Sequence, residues 1–278
     1  MKVVRAEVLG MCFGVRDALT AIGRIDRPQE VTIRGELVHN EVVLAGLHTR
    51  GFRMERERDR DRLPQTSSVL ITAHGVSDRE RSRLEHAGKQ LLDTTCPLVL
   101  RVHKAARMLA EEGFHVIVIG KHGHVEVNGV VEDLDHYDVV ESAEDVKAFG
   151  YDRLGVICQS TVPARRAEIL RNLIEEANPD AEIKHVDTIC QPTKDHQKAL
   201  ERLLEDVDAI VVVGGRHSNN TRELVSLCRE RGVPALHVAD ASELDREWLL
   251  EFDSVGLTAG TSTLDSTIDE VYRELLKI

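Results

Sequence analysis

Short aliphatic runs alternate along the whole chain with stretches whose apolar residues recur every three or four positions. The aliphatic runs predict strands over 2–8, 69–72, 90–92, 115–119, 153–157, 183–186, 209–213, 235–238 and 254–258. Helical spacing predicts helices over 15–25, 78–86, 98–112, 163–177, 194–204, 221–231 and 265–276, with Pro163 suited to a first turn. This alternation implies an α/β fold of mainly parallel sheets covered by helices. In such sheets the ligand-binding loops lie beyond the C-terminal ends of the strands.

The pattern recurs about three times. Cys12, Cys96 and Cys190 each follow an aliphatic strand-like run, and 84 and 94 residues separate them in a chain of 278. Asp93-Thr94-Thr95-Cys96-Pro97 and Asp187-Thr188-Ile189-Cys190-Gln191-Pro192 are near copies, and Asp93 and Asp187 read as turn residues before the cysteines. His39, His124 and Ser218 follow the three cysteines by 27, 28 and 28 residues, each in a Gly-containing polar loop. A third polar loop ends another apolar run in each third and carries His74, Ser160-Thr161 and Ser262. Repeats of this length suit βα sub-domains better than solenoid units. The expectation is three similar α/β lobes with pseudo-threefold symmetry around one central site, since no low-complexity linker separates them. They cover 1–95 with Cys12, His39 and His74; 96–187 with Cys96, His124, Glu126 and Ser160; and 188–278 with Cys190, Ser218, Asn220 and Ser262.

Three thiolates brought to one centre hold metal. A structural zinc site wants four ligands, and neither a C-x-x-C pair nor a fourth matching cysteine is present. Cys158 lies in an apolar run and Cys228 in a predicted helix, so both read as small buried hydrophobes. A 4Fe–4S cluster on three thiolates leaves one iron open to act as a Lewis acid on a substrate oxygen, which accounts for the odd ligand count. Around it, His39, His74, His124, Ser160, Thr161, Ser218, Asn219, Asn220 and Ser262 form a set of hydrogen-bond donors suited to a phosphate or diphosphate. Glu126 is the one carboxylate beside this set. Buried near a bound anion, it would hold its proton tightly and could deliver it. His124-Val125-Glu126 fits the H-x-E of zinc deaminases, but no P-C-x-x-C follows. Nucleotide-binding glycine motifs are also missing.

Composition narrows the setting. A net charge of −12 argues against nucleic acid as a partner, and 3% aromatic residues leave the core to aliphatic side chains. Residues 50–62 carry six Arg against four acidic residues and read as a solvated loop or helix face. No apolar run reaches membrane-spanning length, and the N-terminus lacks a signal-peptide core. Five cysteines without a disulfide framework fit a reducing, cytoplasmic setting.

Taken together, these motifs resemble the 4-hydroxy-3-methylbut-2-enyl diphosphate reductase family of the non-mevalonate isoprenoid pathway. The resemblance spans essentially the whole chain: Gly10-Met11-Cys12-Phe13-Gly14-Val15, Val38-His39-Asn40, Ala73-His74-Gly75, Asp93-Thr94-Thr95-Cys96-Pro97, Gly123-His124-Val125-Glu126-Val127, Gln159-Ser160-Thr161, Asp187-Thr188-Ile189-Cys190, Ser218-Asn219-Asn220 and Thr258-Ala259-Gly260-Thr261-Ser262. It implies one oxygen-sensitive 4Fe–4S cluster per chain on Cys12, Cys96 and Cys190, with the substrate hydroxyl at the fourth iron. It implies diphosphate contacts from His39, His74, His124, Ser218, Asn219, Asn220 and Ser262, and proton relay by Glu126 assisted by Ser160. Two electrons would arrive singly from a ferredoxin or flavodoxin, and the products would be isopentenyl and dimethylallyl diphosphates. A non-catalytic iron–sulfur electron carrier or redox sensor is the alternative; it would need the cysteines but neither the donor set nor Glu126. Val125, Ser160, Arg216-His217, Asn219 and Leu264 depart from the usual family pattern, and Ser160 keeps the hydroxyl of the threonine it replaces.

Overall fold

The computed structural model describes residues 1–56, 59, 60 and 62–278. In chain order the elements are β1 Lys2–Arg5, α1 Phe13–Gly23, β2 Val31–Arg34, α2 Glu41–Thr49, β3 Arg53–Glu55, β4 Ser68–Ile71, α3 Asp78–His86, β5 Gln90–Asp93 and α4 Pro97–Glu111. There follow β6 His115–Ile119, α5 Val125–Val131, β7 Tyr137–Val140, β8 Arg153–Cys158, α6 Ala164–Ala177, β9 Glu182–His185 and α7 Gln191–Leu203. The chain closes with β10 Ala209–Val213, α8 Asn219–Glu230, β11 Ala235–Val238, α9 Arg246–Leu249, β12 Ser254–Ala259 and α10 Asp265–Leu275.

These strands form three four-stranded sheets of one design, ordered β3-β2-β4-β5, β7-β6-β8-β9 and β11-β10-β12-β1. Every pairing is parallel. The three similar α/β lobes expected from the repeat are therefore present. All strands of one parallel sheet point the same way, so the loops after its two central strands and after one edge strand gather at a single end.

The chain divides into two compact units: Met1–Arg16, Val38–Ala45 and Gln191–Ile278, and Asp17–Leu37 with Gly46–Cys190. The first unit holds the sheet containing β1, and the second holds the other two sheets. Expectation gave residues 1–95 a lobe of their own. Strand β1 instead pairs with β12, Lys2 opposite Ser254 through Arg5 opposite Leu257, so the N-terminal strand completes the sheet of the C-terminal third.

The period-two alternation of strands sorts their side chains onto two faces. In β6, Val116 and Val118 pack with Val102, Ala106 and Leu109 of α4 and Val127 and Val130 of α5. The intervening Ile117 and Ile119 pack with Ala167, Leu170 and Ile174 of α6. In the first unit, Val211 and Val213 of β10 meet Ile268, Val271 and Leu275 of α10. Ile210 and Val212 meet Leu200 and Leu203 of α7 and Leu224 of α8 on the other face. Each of these strands is fully buried, and the sheets sit in the middle of three layers.

Three strands, β2, β3 and β7, and three helices, α2, α5 and the one-turn α9, have no strong sequence signal. Strands β2, β3 and β7 are three or four residues long and carry Arg, Glu or Asp within them. The glycine and β-branched residues of α5 are poor helix formers, yet five apolar or glycine positions there are buried, so packing overrides propensity. Helix α2 was likewise unforeseen. Helix α6 begins at Ala164, with Pro163 at its cap position rather than in the first turn.

The charged run 50–62 is not simply a solvated face. Arg34, fully buried at the end of β2, donates to Glu55 at 2.6 Å, to Glu80 at 2.6 Å and to the carbonyl oxygens of Arg60 and Arg62. Residues 57, 58 and 61 of the run lie outside the described residues. Arg34→Ala leaves two carboxylates around a buried hole without their cation. The expected cost is about 3–5 kcal/mol, read as a lower urea midpoint; a loss below about 1 kcal/mol would show that the pair is not effectively buried.

Candidate functional site

Each cysteine takes the same position in its lobe. Cys12, Cys96 and Cys190 follow the edge strands β1, β5 and β9, just before α1, α4 and α7. Each backbone N–H bonds across to the loop after the neighbouring central strand: Cys12 to the Thr261 carbonyl at 3.0 Å, Cys96 to Ala73 at 3.0 Å and Cys190 to Ser160 at 2.9 Å. The turns before two of them are alike. Asp93 accepts from the Thr95 amide at 2.9 Å, and Asp187 accepts from the Ile189 amide at 3.2 Å.

The three thiols are half-buried, whereas Cys158 and Cys228 are buried. Burial pushes the Cys12 thiol up, opposed by backbone N–H groups of Val15 and Gly14 at the start of α1 and by the Arg16 charge. Those donors point at the sulfur and favour an anion there, and a metal ion would draw the proton off. Cys228, with burial pushing its thiol up to about 12, has no such setting and is a core residue.

In the second unit, the loops after β4, β6 and β8 carry His74, His124-Val125-Glu126 and Ser160-Thr161. The His74 and His124 rings stand edge to face with centroids 5.6 Å apart. His124 caps α5 by accepting the Glu126 amide at Nδ1, 3.1 Å away. In a neutral ring that leaves the proton on Nε2, where it can be donated to a ligand. Glu126 is 1% exposed. One of its carboxylate oxygens accepts the Ser160 amide at 2.7 Å and the other accepts the Ser160 hydroxyl at 3.0 Å. A buried carboxyl fixed at one oxygen by an amide and at the other by a hydroxyl can hold and hand over a proton. Gln159, buried beside them, accepts the Lys121 amide at 3.0 Å and donates to the Thr161 hydroxyl at 3.2 Å, tying the β6 and β8 loops together.

In the first unit, Ser218 and Ser262 lie on the loops after β10 and β12, Asn219 and Asn220 open α8, and His39 lies in the segment before α2. Ser218 caps α8 by accepting the Thr221 amide, Asn219 begins that helix, and Asn220 accepts the Thr261 amide at 2.9 Å. Asn40 donates to the Ser262 carbonyl at 2.8 Å, and the Ser262 hydroxyl reaches the His39 carbonyl at 3.4 Å. A Cβ on Gly215 would stand 2.6 Å from that same His39 carbonyl, so only glycine allows this approach. Helix N-termini with glycine-rich entry loops suit an anion.

Three supporting residues escaped sequence reasoning. Asn40 and Gln159 stand directly beside expected site residues, and that adjacency was their only signal. His196, buried in α7, faces the Pro192 carbonyl with Nδ1 and the Gly10 carbonyl with Nε2, fastening the loop that leads to Cys12. Nothing local in the sequence marks it. Within neither unit do three His, Cys, Asp or Glu side chains gather as a single-ion site requires, among the described residues. None of the described helices is long and apolar enough to cross a membrane.

Residues 3–276 match the family model described as LytB protein. A 4-hydroxy-3-methylbut-2-enyl diphosphate reductase of Caldanaerobacter subterraneus is 31% identical over 283 residues, covering 99% of this chain and 96% of that protein. The reductase of the same name from Dehalococcoides mccartyi is 35% identical over 279 residues, covering 98% and 96%. Among solved structures, the E-1-hydroxy-2-methyl-but-2-enyl-4-diphosphate reductase of Plasmodium falciparum superposes with a TM-score of 0.90 at 26% identity, covering 98% of this chain and 87% of that one. A second, described as the terminal enzyme of the non-mevalonate pathway, gives 0.70 at 30% identity with full coverage of both chains.

The contrast in thiol environments predicts an order of chemical modification. In chelator-treated protein at pH 8, iodoacetamide should label Cys12, Cys96 and Cys190 before Cys158 and Cys228. Mass mapping that finds Cys228 labelled early in folded protein would contradict its placement in the core.

Proposed function

Because the chain belongs to the LytB protein family, which its match over residues 3–276 and its reductase relatives establish, we propose that it acts as a 4-hydroxy-3-methylbut-2-enyl diphosphate reductase. The reaction removes the allylic hydroxyl: the C–O bond breaks, oxygen leaves as water, and two electrons and two protons are consumed. The product is isopentenyl or dimethylallyl diphosphate, and the reading places the enzyme in the cytoplasm.

The donor set supports a 4Fe–4S cluster on Cys12, Cys96 and Cys190. These cysteines alone share one position in all three lobes, and the sulfur of Cys12 lies against amide donors at the start of α1. When bound, the cluster supplies electrons singly and an open iron with Lewis acidity toward a substrate oxygen. The chain's own residues do the rest. His39, His74, His124, Ser218, Asn219, Asn220 and Ser262, with Thr161 beside them, donate hydrogen bonds to the diphosphate. Fixed donors hold the anion without reorganising during reaction.

Glu126, held by both contacts from Ser160, delivers the proton that makes hydroxide into a water leaving group. The Ser160 hydroxyl can both donate and accept, so it serves as the second station of the relay. A ferredoxin or flavodoxin supplies the electrons. The observation carrying the reading is this Glu126–Ser160 pair beside edge-to-face histidines in a chain of this family. A non-catalytic iron–sulfur carrier leaves that pair without a purpose.

Glu126→Gln keeps the shape and loses the proton. Turnover of the allylic diphosphate should fall by roughly 10²- to 10⁴-fold while substrate affinity stays near that of the parent enzyme. Near-parental turnover in anaerobic assays would remove Glu126 from the mechanism.

A further inference from the structure

Two anion-facing loops are latched by the same device. In the second unit, His122 stands two residues before His124, and its Nε2 lies 3.4 Å from Asp145 in the 3-10 turn Ala143–Asp145. In the first unit, Arg216 stands two residues before Ser218 and donates to Glu243 at 2.9 Å, in the 3-10 turn Ala241–Glu243. Both turns follow the outer strand next to the loop's own strand, β7 beside β6 and β11 beside β10. The remaining sheet, β3-β2-β4-β5, has its own version in the Arg34–Glu55 pair, which joins the end of β2 to the end of β3. Three lobes thus place a basic side chain and a carboxylate across the same two strand ends.

The carboxylates are themselves anchored. Asp145 accepts the amides of Glu141 and Ser142 at 2.8 and 2.9 Å, and Glu243 accepts the amide of Ala239 at 2.7 Å. The Ser142 amide first, and the Ala239 amide first with Arg216 after it, hold Asp145 and Glu243 below the usual carboxylate range. Each is therefore a fixed anion to which a loop can be fastened. The main chain of the His122 loop is held by the Lys121 amide on Gln159 at 3.0 Å and the His122 amide on Glu141 at 2.9 Å, while its side chains border a cavity of about 560 Å³ lined by His122, Gly123, Asn128, Asp145 and Lys147. Pairs this exposed contribute little to folding, which leaves loop position as their use.

We infer that His122–Asp145 and Arg216–Glu243 are positioning pairs that hold His124 and Ser218 in place for the substrate's diphosphate; the ligand rests on the reductase reading above, the latch itself does not. A competing role for Arg216 is direct contact with the diphosphate, with Glu243 merely restraining it. The two roles give opposite results in Glu243→Gln, which keeps the Ala239 bond and removes the charge.

The experiment uses anaerobically purified, cluster-loaded protein and inorganic diphosphate as the probe. It compares the parent with Arg216→Ala, Arg216→Lys and Glu243→Gln, measuring affinity by calorimetry and amide exchange over residues 214–218. The latch predicts faster exchange confined to that loop and affinity lowered roughly three- to tenfold in both Arg216→Ala and Glu243→Gln, with Arg216→Lys close to the parent. Unchanged exchange in both charge-removing variants overturns it, and so does tighter binding in Glu243→Gln. Faster exchange in a protein whose parent form has no affinity for diphosphate supports the latch and retracts the diphosphate reading instead.

Discussion

One hydrogen bond, made three times, sets each of the three cysteines: the cysteine amide at the end of an edge strand donates to the carbonyl of the loop after its neighbour. Thr261, Ala73 and Ser160 accept these bonds, and each lies at or beside an expected ligand-binding residue. In a parallel sheet both strands end on the same side, so the bond fixes a thiol and a polar loop against each other. A buried three-layer core makes that fixing rigid. The fully buried central strands β6 and β10 carry the loops of His124 and Ser218, and their helices pack both faces.

Within this frame the polar residues are arranged by caps and short bonds rather than by long side chains. His124 and Ser218 each cap the helix that follows them, which turns the helix amides and the capping side chain toward one region. Glu126 and Asn220 are each the second residue of those helices and reach across to the next loop, to Ser160 and to the Thr261 amide. The same two helix starts thus brace the neighbouring loops. Gly215 and Gly260 permit the close approach, since a Cβ at Gly260 would collide with the Thr221 hydroxyl.

Much of this was legible in the sequence because it rests on local pattern. The cysteine spacing, the recurring polar loops and the long aliphatic strands pointed to three similar α/β lobes with parallel sheets. What was hidden depends on contacts between distant residues. Periodicity marks Lys2–Arg5 as a strand but cannot say that its partner is Ser254–Ala259 at the other end of the chain. Strand β2 ends in a fully buried Arg34, which looks like surface until Glu55 and Glu80 are seen to neutralise it. Helix α5 forms from residues of weak helix propensity because Val127, Val130 and Val131 are needed in the core. His196 is a site-supporting residue only because α7 lies against the Gly10 loop.

The central claim is that Cys12, Cys96 and Cys190 together hold one four-iron cluster. It is tested most directly by counting iron and acid-labile sulfide per chain after anaerobic purification and reconstitution, in the parent protein and in Cys96→Ser. The account predicts about four of each in the parent and a large loss in the variant. Zinc or no metal in the parent, or a full cluster in Cys96→Ser, would contradict it.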